Sequence, residues 1–148
     1  MKLRTRITIA AMATAAAVGT TGACQLPTAS ARAGTHTLTF TSVQQATAKL
    51  SPTIQAAEDK DVTQAGKVIG YDVLRFSLNP KTNTTSIGVA VDLSSGFLYG
   101  VMSESDGSAT HGTVTGGTGA FKGATGTITA KALDQTGARI AVTIAYHT

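Results

Sequence analysis

The sequence predicts an all-β fold, a small closed antiparallel β-barrel preceded by a cleaved N-terminal segment. From residue 34 onward, short runs alternate between apolar and polar residues and are separated by turn-forming residues, a pattern typical of strands. Large side chains are scarce, with four Phe, three Tyr and no Trp in 148 residues, so the core volume suits a narrow barrel. Closure would also remove the exposed edges that an open sheet presents.

A glycine-rich segment over residues 114–129, VTGGTGAFKGATGTIT, is the centre of this pattern. It places closely spaced glycines between two alternating runs, and glycine adopts the positive φ values that tight strand connections need. Phe121 is its one bulky side chain and is expected to fill the space under the turn. A dinucleotide-binding G-x-G-x-x-G loop is excluded because the third glycine comes one residue late, at Gly123. A phosphate-binding loop is excluded because Lys122 precedes glycine rather than Ser or Thr.

The same segment resembles the GGTGxFxxAxG element of the allene oxide cyclase and dirigent-like β-barrels. Residues 69–79, IGYDVLRFSLN, resemble the GDxxxF strand of that superfamily, with Asp72 and Phe76 at the matching positions. The sequence Ser-Ile-Gly at residues 86–88 resembles the start of its next strand, and the resemblance extends over about residues 68–147. It implies roughly eight antiparallel strands around an apolar pocket, activities that need no metal or cofactor, and assembly as dimers or trimers.

Residues 1–33 are predicted to be an export signal of bacterial type, and residues 34–148 a single barrel domain. The signal begins with three basic residues and continues with an uncharged apolar stretch too short to cross a bilayer. It ends in two A-x-A sequences, which close at Ala31 and Ala33. We expect cleavage after Ala33, with Ala31 as the second choice, and secretion of the mature protein.

The single cysteine, Cys24, supports an alternative to free secretion. The sequence TGAC at residues 21–24 resembles a bacterial lipoprotein box, in which the cysteine becomes the lipidated first residue, although Thr21 stands where leucine is usual. With either outcome the domain cannot contain an intramolecular disulfide.

The basic character of the chain comes from the predicted signal. Four of the twelve Lys and Arg residues, but none of the eight Asp and Glu residues, precede residue 34, so the domain carries eight of each. A domain with no net positive charge lacks the cations that neutralise phosphates, which excludes nucleic-acid binding.

The alternation predicts about seven short strands, joined by turns rich in Gly, Pro, Asn, Asp and Ser. Five strands are expected at residues 35–43, 68–78, 86–93, 97–104 and 138–147, with one more on each side of the glycine segment. Ser-Asp-Gly-Ser at residues 105–108 predicts a tight hairpin.

Residues 44–67 lack the alternation and are predicted to form a long surface connection with one short helical turn. The stretch contains Pro52 and few large apolar residues. Its three acids, Glu58, Asp59 and Asp61, are expected to form a solvated face.

Asp72 is the most informative polar residue. Alternation places it on one face with Leu74 and Phe76, and a carboxylate on an apolar face must be paired or have a raised pKa. If that face lines the barrel, Asp72 is a candidate acid or base in the pocket. The alternative is a structural carboxylate, bonded to backbone amides or to an arginine near the barrel mouth.

Aromatic and aliphatic side chains supply the other candidates. Tyr99 is a tentative second catalytic group because its phenol could polarise a ligand, although strand tyrosines more often leave their hydroxyl in water. The predicted ligand-binding residues are large apolar side chains: Phe40, Leu74, Phe76, Phe97 and Phe121. No metal site is predicted, because His36, His111 and His147 each lack a second ligand at i+2 or i+4.

Two main functional hypotheses follow. In the first, the exported barrel binds a small apolar or aromatic molecule without catalysis. In the second, it is a cofactor-free isomerase or cyclase, or a dirigent-like protein that steers a coupling reaction, with Asp72 and a tyrosine polarising the substrate. The first is favoured because the chain combines an export signal with no convincing catalytic constellation. The resemblance also has a gap, since the family's plant cyclases carry a glutamate and an asparagine on the first strand and THTLTFTSV has neither. A third hypothesis is that the barrel is an assembly module that forms a homo-oligomer.

Overall fold

The structure of the protein, a computed structural model, describes residues 34–104 and 110–148. They form eight strands and one short 3-10 helix over Gly119–Phe121. The strands are β1 (His36–Ser51), β2 (Ile54–Val62), β3 (Val68–Asn79), β4 (Thr84–Leu93), β5 (Gly96–Glu104), β6 (Thr110–Gly117), β7 (Thr125–Ala132) and β8 (Arg139–His147). The predicted export signal, Cys24 and the hairpin predicted at residues 105–108 lie outside the described residues, and these predictions stay predictions.

The eight strands close into an antiparallel barrel. Each strand pairs with the next one along the chain, and β8 pairs back with β1 from His36 opposite Tyr146 to Val43 opposite Arg139. The predicted fold class is therefore confirmed. The strands predicted from residues 68, 86, 97 and 138 begin within a few residues of those positions.

The prediction of a surface connection over residues 44–67 was wrong. The strand β1 continues to Ser51, Pro52 lies in a two-residue turn, and β2 follows directly and pairs with both β1 and β3. The stretch was missed because the inward positions of β2 hold an alanine and two aspartates, so no large apolar residue marks the alternation.

The predicted solvated face is also wrong in part. Glu58 points outward and is exposed, as a charge run on a surface predicts. Asp59 and Asp61 have the opposite parity on the same strand, and their side chains are buried in the barrel.

The core is formed by alternate residues of every strand, which point into the barrel as the pleat requires. Its buried apolar side chains are Phe40, Ala57, Leu74, Ile87, Val91, Leu98, Met102, Val114, Phe121, Ala124, Ile128, Ala130, Val142 and Ile144.

The two ends of the barrel differ. We call the end with the connections after β1, β3, β5 and β7 the hairpin end, and the other end the plugged end. At the plugged end the 3-10 helix places Phe121 in the interior, where it makes an edge contact with Tyr146 at 5.5 Å between ring centroids. His36 stacks on the same tyrosine at 5.3 Å. Phe121 thus fills the space under the glycine-rich connection, as its position in the sequence predicts.

Two glycines of that connection are required by space and by backbone conformation. A Cβ on Gly117 would lie 2.5 Å from the carbonyl oxygen of Phe97 and 2.6 Å from that of Phe121. Gly119 has a φ of +58° and packs against the backbone of Ser95, so a side chain there would be strained and would clash. The glycine cluster therefore lets the connection fold down onto the β4–β5 turn and carry Phe121 into the barrel.

Candidate functional site

The barrel contains a cavity of about 460 Å³ that extends to the hairpin end. Most of its wall is apolar and comes from six strands, β1, β3, β4, β5, β7 and β8, whereas β2 contributes an aspartate and β6 a threonine. The apolar lining residues are Phe40, Leu74, Phe76, Ile87, Val89, Val91, Met102, Ile128, Ala130, Ala132, Ile140, Val142 and Ile144. Polar lining groups are few: Ser42, Gln44, Asp59, Asp72, Glu104, Thr110 and, at the rim, Lys131. A predominantly apolar cavity with a few convergent polar groups is typical of a small-molecule site.

Four of the residues predicted from the sequence meet in this cavity. Phe40, Leu74 and Phe76 supply apolar wall, and Asp72 lies among them with only 3% of its surface exposed. Phe121 is buried at the plugged end and does not line the cavity.

The other two predicted site residues lie on the outside of the barrel. Phe97 and Tyr99 on β5 are each 39% exposed and stack on one another with ring centroids 6.2 Å apart. They lie on either side of the buried Leu98 along the strand, so their side chains point to the opposite face, toward solvent. This placement removes Phe97 and Tyr99 from the candidate site.

Three aspartates and one serine form a buried polar cluster, of which Ser42, Asp59 and Asp72 line the cavity. Asp59 on β2 is the register partner of Asp72 on β3, and Asp61 lies one inward position closer to the plugged end. The Ser42 Oγ atom on β1 lies 2.8 Å from Asp59 Oδ2 and 3.0 Å from Asp72 Oδ2. All four side chains are at least nine-tenths buried, since none is more than 3% exposed. We call these residues the aspartate cluster.

The aspartate cluster has more acceptors than donors. A serine hydroxyl carries one hydrogen, so Ser42 can donate to Asp59 or to Asp72 but not to both at once. Four buried oxygen atoms have no hydrogen-bond partner within the described residues: Asp59 Oδ1, Asp61 Oδ1, Asp61 Oδ2 and Asp72 Oδ1. The short contact from Ser42 to the second carboxyl is favourable only if that carboxyl is protonated and donates to the serine oxygen.

Burial of these carboxyls favours their protonated forms. Burial raises the pKa of Asp72 to about 6, and burial together with repulsion from Asp72 raises the pKa of Asp61 to about 8. Burial also raises the pKa of Asp59, and the hydrogen bond from Ser42 partly offsets that rise. Asp61 and Asp72 influence each other's protonation, so the two carboxyls titrate as a coupled pair. Such a cluster can both donate and accept a proton, the property that general acid–base chemistry requires.

The sequence pointed to one member of the cluster and missed the rest. Asp72 was found because it interrupts an apolar face. Asp59 and Asp61 were missed because their neighbours on that face offer no apolar contrast, and Ser42 because a serine at the end of a predicted strand carries no special signal. The one available signal was the spacing of Ala57, Asp59 and Asp61. They occupy every second position, so they would share one face if the segment were a strand.

Two further structural observations apply to the described part of the chain. Within residues 34–104 and 110–148, no helix is long and apolar enough to cross a membrane. In the same ranges, no three His, Cys, Asp or Glu side chains are grouped so that they could hold a metal ion.

Comparison with known proteins finds similar folds but no sequence family to which the chain can be assigned. No protein-family profile matches the chain, and no characterised protein matches it by sequence. Solved structures do match by fold. A pyocyanin demethylase superposes with a TM-score of 0.62 at 17% identity, covering 75% of this chain and 99% of that protein.

Two other solved structures also match this barrel by fold. A pterocarpan synthase dirigent protein superposes with a TM-score of 0.62 at 17% identity, over 78% of this chain and 89% of its own. An exo-specific intermolecular Diels-Alderase superposes with a TM-score of 0.59 at 10% identity, over 78% and 99%. At these identities the likeness establishes the fold, and the resemblance to dirigent-like barrels is confirmed at that level.

Proposed function

We propose that this protein is an exported barrel that binds a small apolar or aromatic molecule in its interior cavity. The observation that carries the proposal is the cavity of about 460 Å³, whose walls are apolar and whose few polar groups converge on the aspartate cluster. Burial of apolar ligand surface against such walls supplies the affinity, and the polar groups fix the orientation. Export is supported by the basic head, apolar stretch and A-x-A sequences of residues 1–33, and the intact mass of the mature protein tests it.

A second candidate function is catalysis without a cofactor, as an isomerase, a cyclase or a dirigent-like protein. The specific observation in its favour is that Asp72 faces the cavity with a pKa raised to about 6 by burial, close to the operating pH of a general acid. The solved structures of a Diels-Alderase and a dirigent protein show that barrels of this shape are used for such reactions. Catalysis differs from binding alone in that the bound molecule leaves the cavity chemically changed.

Filling the cavity is expected to abolish binding while leaving the barrel folded. Ala130 on β7 lines the cavity, and phenylalanine there would occupy the ligand's space. With 2-naphthylmethanol as the probe, we expect Ala130→Phe to lower the affinity measured by titration calorimetry by roughly tenfold or more, since overpacking of about 1–3 kcal/mol must be overcome.

The control is the adjacent substitution Thr129→Phe. Thr129 is exposed on the outer face of the same strand, so the same ring introduced there leaves the cavity unchanged. Equal loss of binding in both variants, or no binding of the probe by the unsubstituted protein, would contradict the proposed function.

A further inference from the structure

The aspartate cluster restricts the chemistry of the ligand more than the apolar walls do. We propose that the ligand carries a basic nitrogen, and that Asp59 and Asp72 receive its protonated form while the apolar walls hold the rest of the molecule. This inference rests on the proposed function and names the class of molecule that would enter the cavity.

The argument begins with the unpaired oxygens. Asp59 Oδ1 and Asp72 Oδ1 are buried, have no hydrogen-bond partner within the described residues, and belong to side chains that line the cavity. Buried polar groups in folded proteins are nearly always paired. The hydrogen of Ser42 and the protons that the cluster holds are too few to pair the oxygens of three carboxyls, which leaves room for a donor from a ligand. An ammonium group brings two or three hydrogens and no competing acceptor, which matches a site that already has too few donors.

The charges around the cavity favour a cation over an anion. The residues of β1, β4, β7 and β8 that face the cluster from the neighbouring and opposite walls are Ser42, Gln44, Val91, Ile128 and Val142, and none of these is charged. The other titratable side chains of the interior are Glu104, at the hairpin end of β5, and Tyr146, packed on Phe121 at the plugged end. Lys131 reaches the rim of the cavity from an exposed position at the end of β7. A ligand carboxylate placed against Asp59 and Asp72 would meet like charge without a compensating base.

The depth of the cluster sets the orientation of the ligand. Along β3 the inward residues run from Asp72 through Leu74 to Phe76 toward the hairpin end, so the carboxyls lie deeper in the barrel than Phe76. The nitrogen would therefore enter first, and the apolar body would remain between Phe76 and the wall of β7 and β8. Charge-assisted hydrogen bonds formed away from bulk water are the strong ones, which makes this end of the ligand the selective one.

Binding of the cation is linked to release of a proton. The cluster holds protons at neutral pH because its carboxyls repel one another and are buried. An ammonium group beside Asp59 and Asp72 favours their ionised forms, so one carboxyl loses its proton to solvent as the ligand binds. The affinity for the amine therefore rises with pH through the range in which the cluster titrates, whereas the affinity for a neutral analogue does not.

The test compares three probes of the same shape. These are 2-naphthylmethylamine, which is a cation at pH 7, the neutral 2-naphthylmethanol, and the anion 2-naphthoate. We expect the full mature chain to bind the amine roughly tenfold or more tightly than the alcohol in titration calorimetry, and to bind the naphthoate more weakly than either. Titrations in two buffers of different ionisation enthalpy should show that the amine releases protons and the alcohol does not.

Variants assign the preference to the cluster. In the double variant Asp59→Asn/Asp72→Asn, amine and alcohol are expected to bind with equal affinity and without proton release. The control variant is Asp92→Asn, which replaces an exposed aspartate of β4 by asparagine. It is expected to bind the amine more tightly than the alcohol to the same extent as the unsubstituted protein. Thermal melts establish that each variant is folded.

Each outcome has a defined meaning. If the alcohol binds as tightly as the amine to the unsubstituted protein, or if the double variant keeps the preference for the amine, the inference is overturned and the proposed function stands. If none of the three probes binds, the proposed function fails together with the inference.

Discussion

Replacing Asp61 by asparagine is expected to stabilise the barrel, most strongly near pH 8. Asp61 is fully buried, and neither of its carboxylate oxygens has a hydrogen-bond partner within the described residues. An amide of nearly the same shape carries no charge and can donate to the neighbouring carboxyls. At pH 8 the folded protein must hold this carboxyl partly protonated, whereas the unfolded chain ionises it, which costs about 2 kcal/mol or more of stability. We therefore expect Asp61→Asn to raise the melting temperature at pH 8 by roughly 8 °C.

The same residue gives the barrel a pH dependence of definite sign. The pKa of Asp61 is raised from 3.8 to about 8 by burial and by repulsion from Asp72. Between these values the folded protein keeps a proton that the unfolded chain has released, so the free energy of unfolding falls as pH rises. The unsubstituted protein should therefore melt at a higher temperature at pH 5 than at pH 8, and Asp61→Asn should reduce that difference.

The matched control for this prediction is Asp92→Asn, which removes the same charge from the exposed face of β4. It is expected to leave the melting temperature and its pH dependence nearly unchanged, since exposed charges contribute little to stability. A loss of stability in Asp61→Asn at pH 8, or an equal gain in the control, would contradict the assignment of a buried, unpaired carboxyl to Asp61.

Removing Phe121, the plug of the barrel, should have the reverse effect on stability. Phe121 is 6% exposed and contacts Tyr146 edge to face below the cavity. We expect Phe121→Ala to lower the free energy of unfolding by about 3–5 kcal/mol in urea denaturation, because the lost burial and the void under the glycine connection add together.

The comparison variant is Phe97→Ala, which deletes the same ring from the outer face of β5. A half-exposed surface ring should cost less than about 1.5 kcal/mol. Similar losses in the two variants would contradict the description of Phe121 as the plug of the barrel.

The sequence was sufficient for most of the fold because the strands alternate between one buried and one solvated face. β1 and β7 are clear examples, since Leu38 and Phe40 of β1 alternate with threonines and Ile128 and Ala130 of β7 alternate with polar residues. The glycine segment was recognisable because the connection leaves no space for side chains at Gly117 and Gly119, so glycine is required at both positions. The strand β2 failed this approach because its interior row is Ala57, Asp59 and Asp61, which reads as a surface loop.

A site residue could be predicted only where a polar side chain interrupts an apolar face within a single strand. Asp72 stands out against Leu74 and Phe76 on its own strand, and the structure places all three on the cavity wall. The aspartate cluster could not be predicted in this way, because it depends on strand pairing: Asp59 lies beside Asp72 only when β2 pairs with β3 in the observed register. Phe97 and Tyr99 were predicted as site residues only because they are aromatic. Both flank Leu98 on β5, so assigning Leu98 to the core already predicts that their side chains point outward.

The most direct test of the central claim, that the cavity holds a small molecule, is native mass spectrometry of the mature protein purified from the cells that produce it. The spectrum is recorded before and after denaturation, so that any non-covalent mass can be released and identified. We predict an added mass that disappears on denaturation and belongs to an apolar or aromatic compound with a basic nitrogen. A protein that is purified without any bound molecule, and that takes up none of the three naphthalene probes when they are added, would contradict the claim.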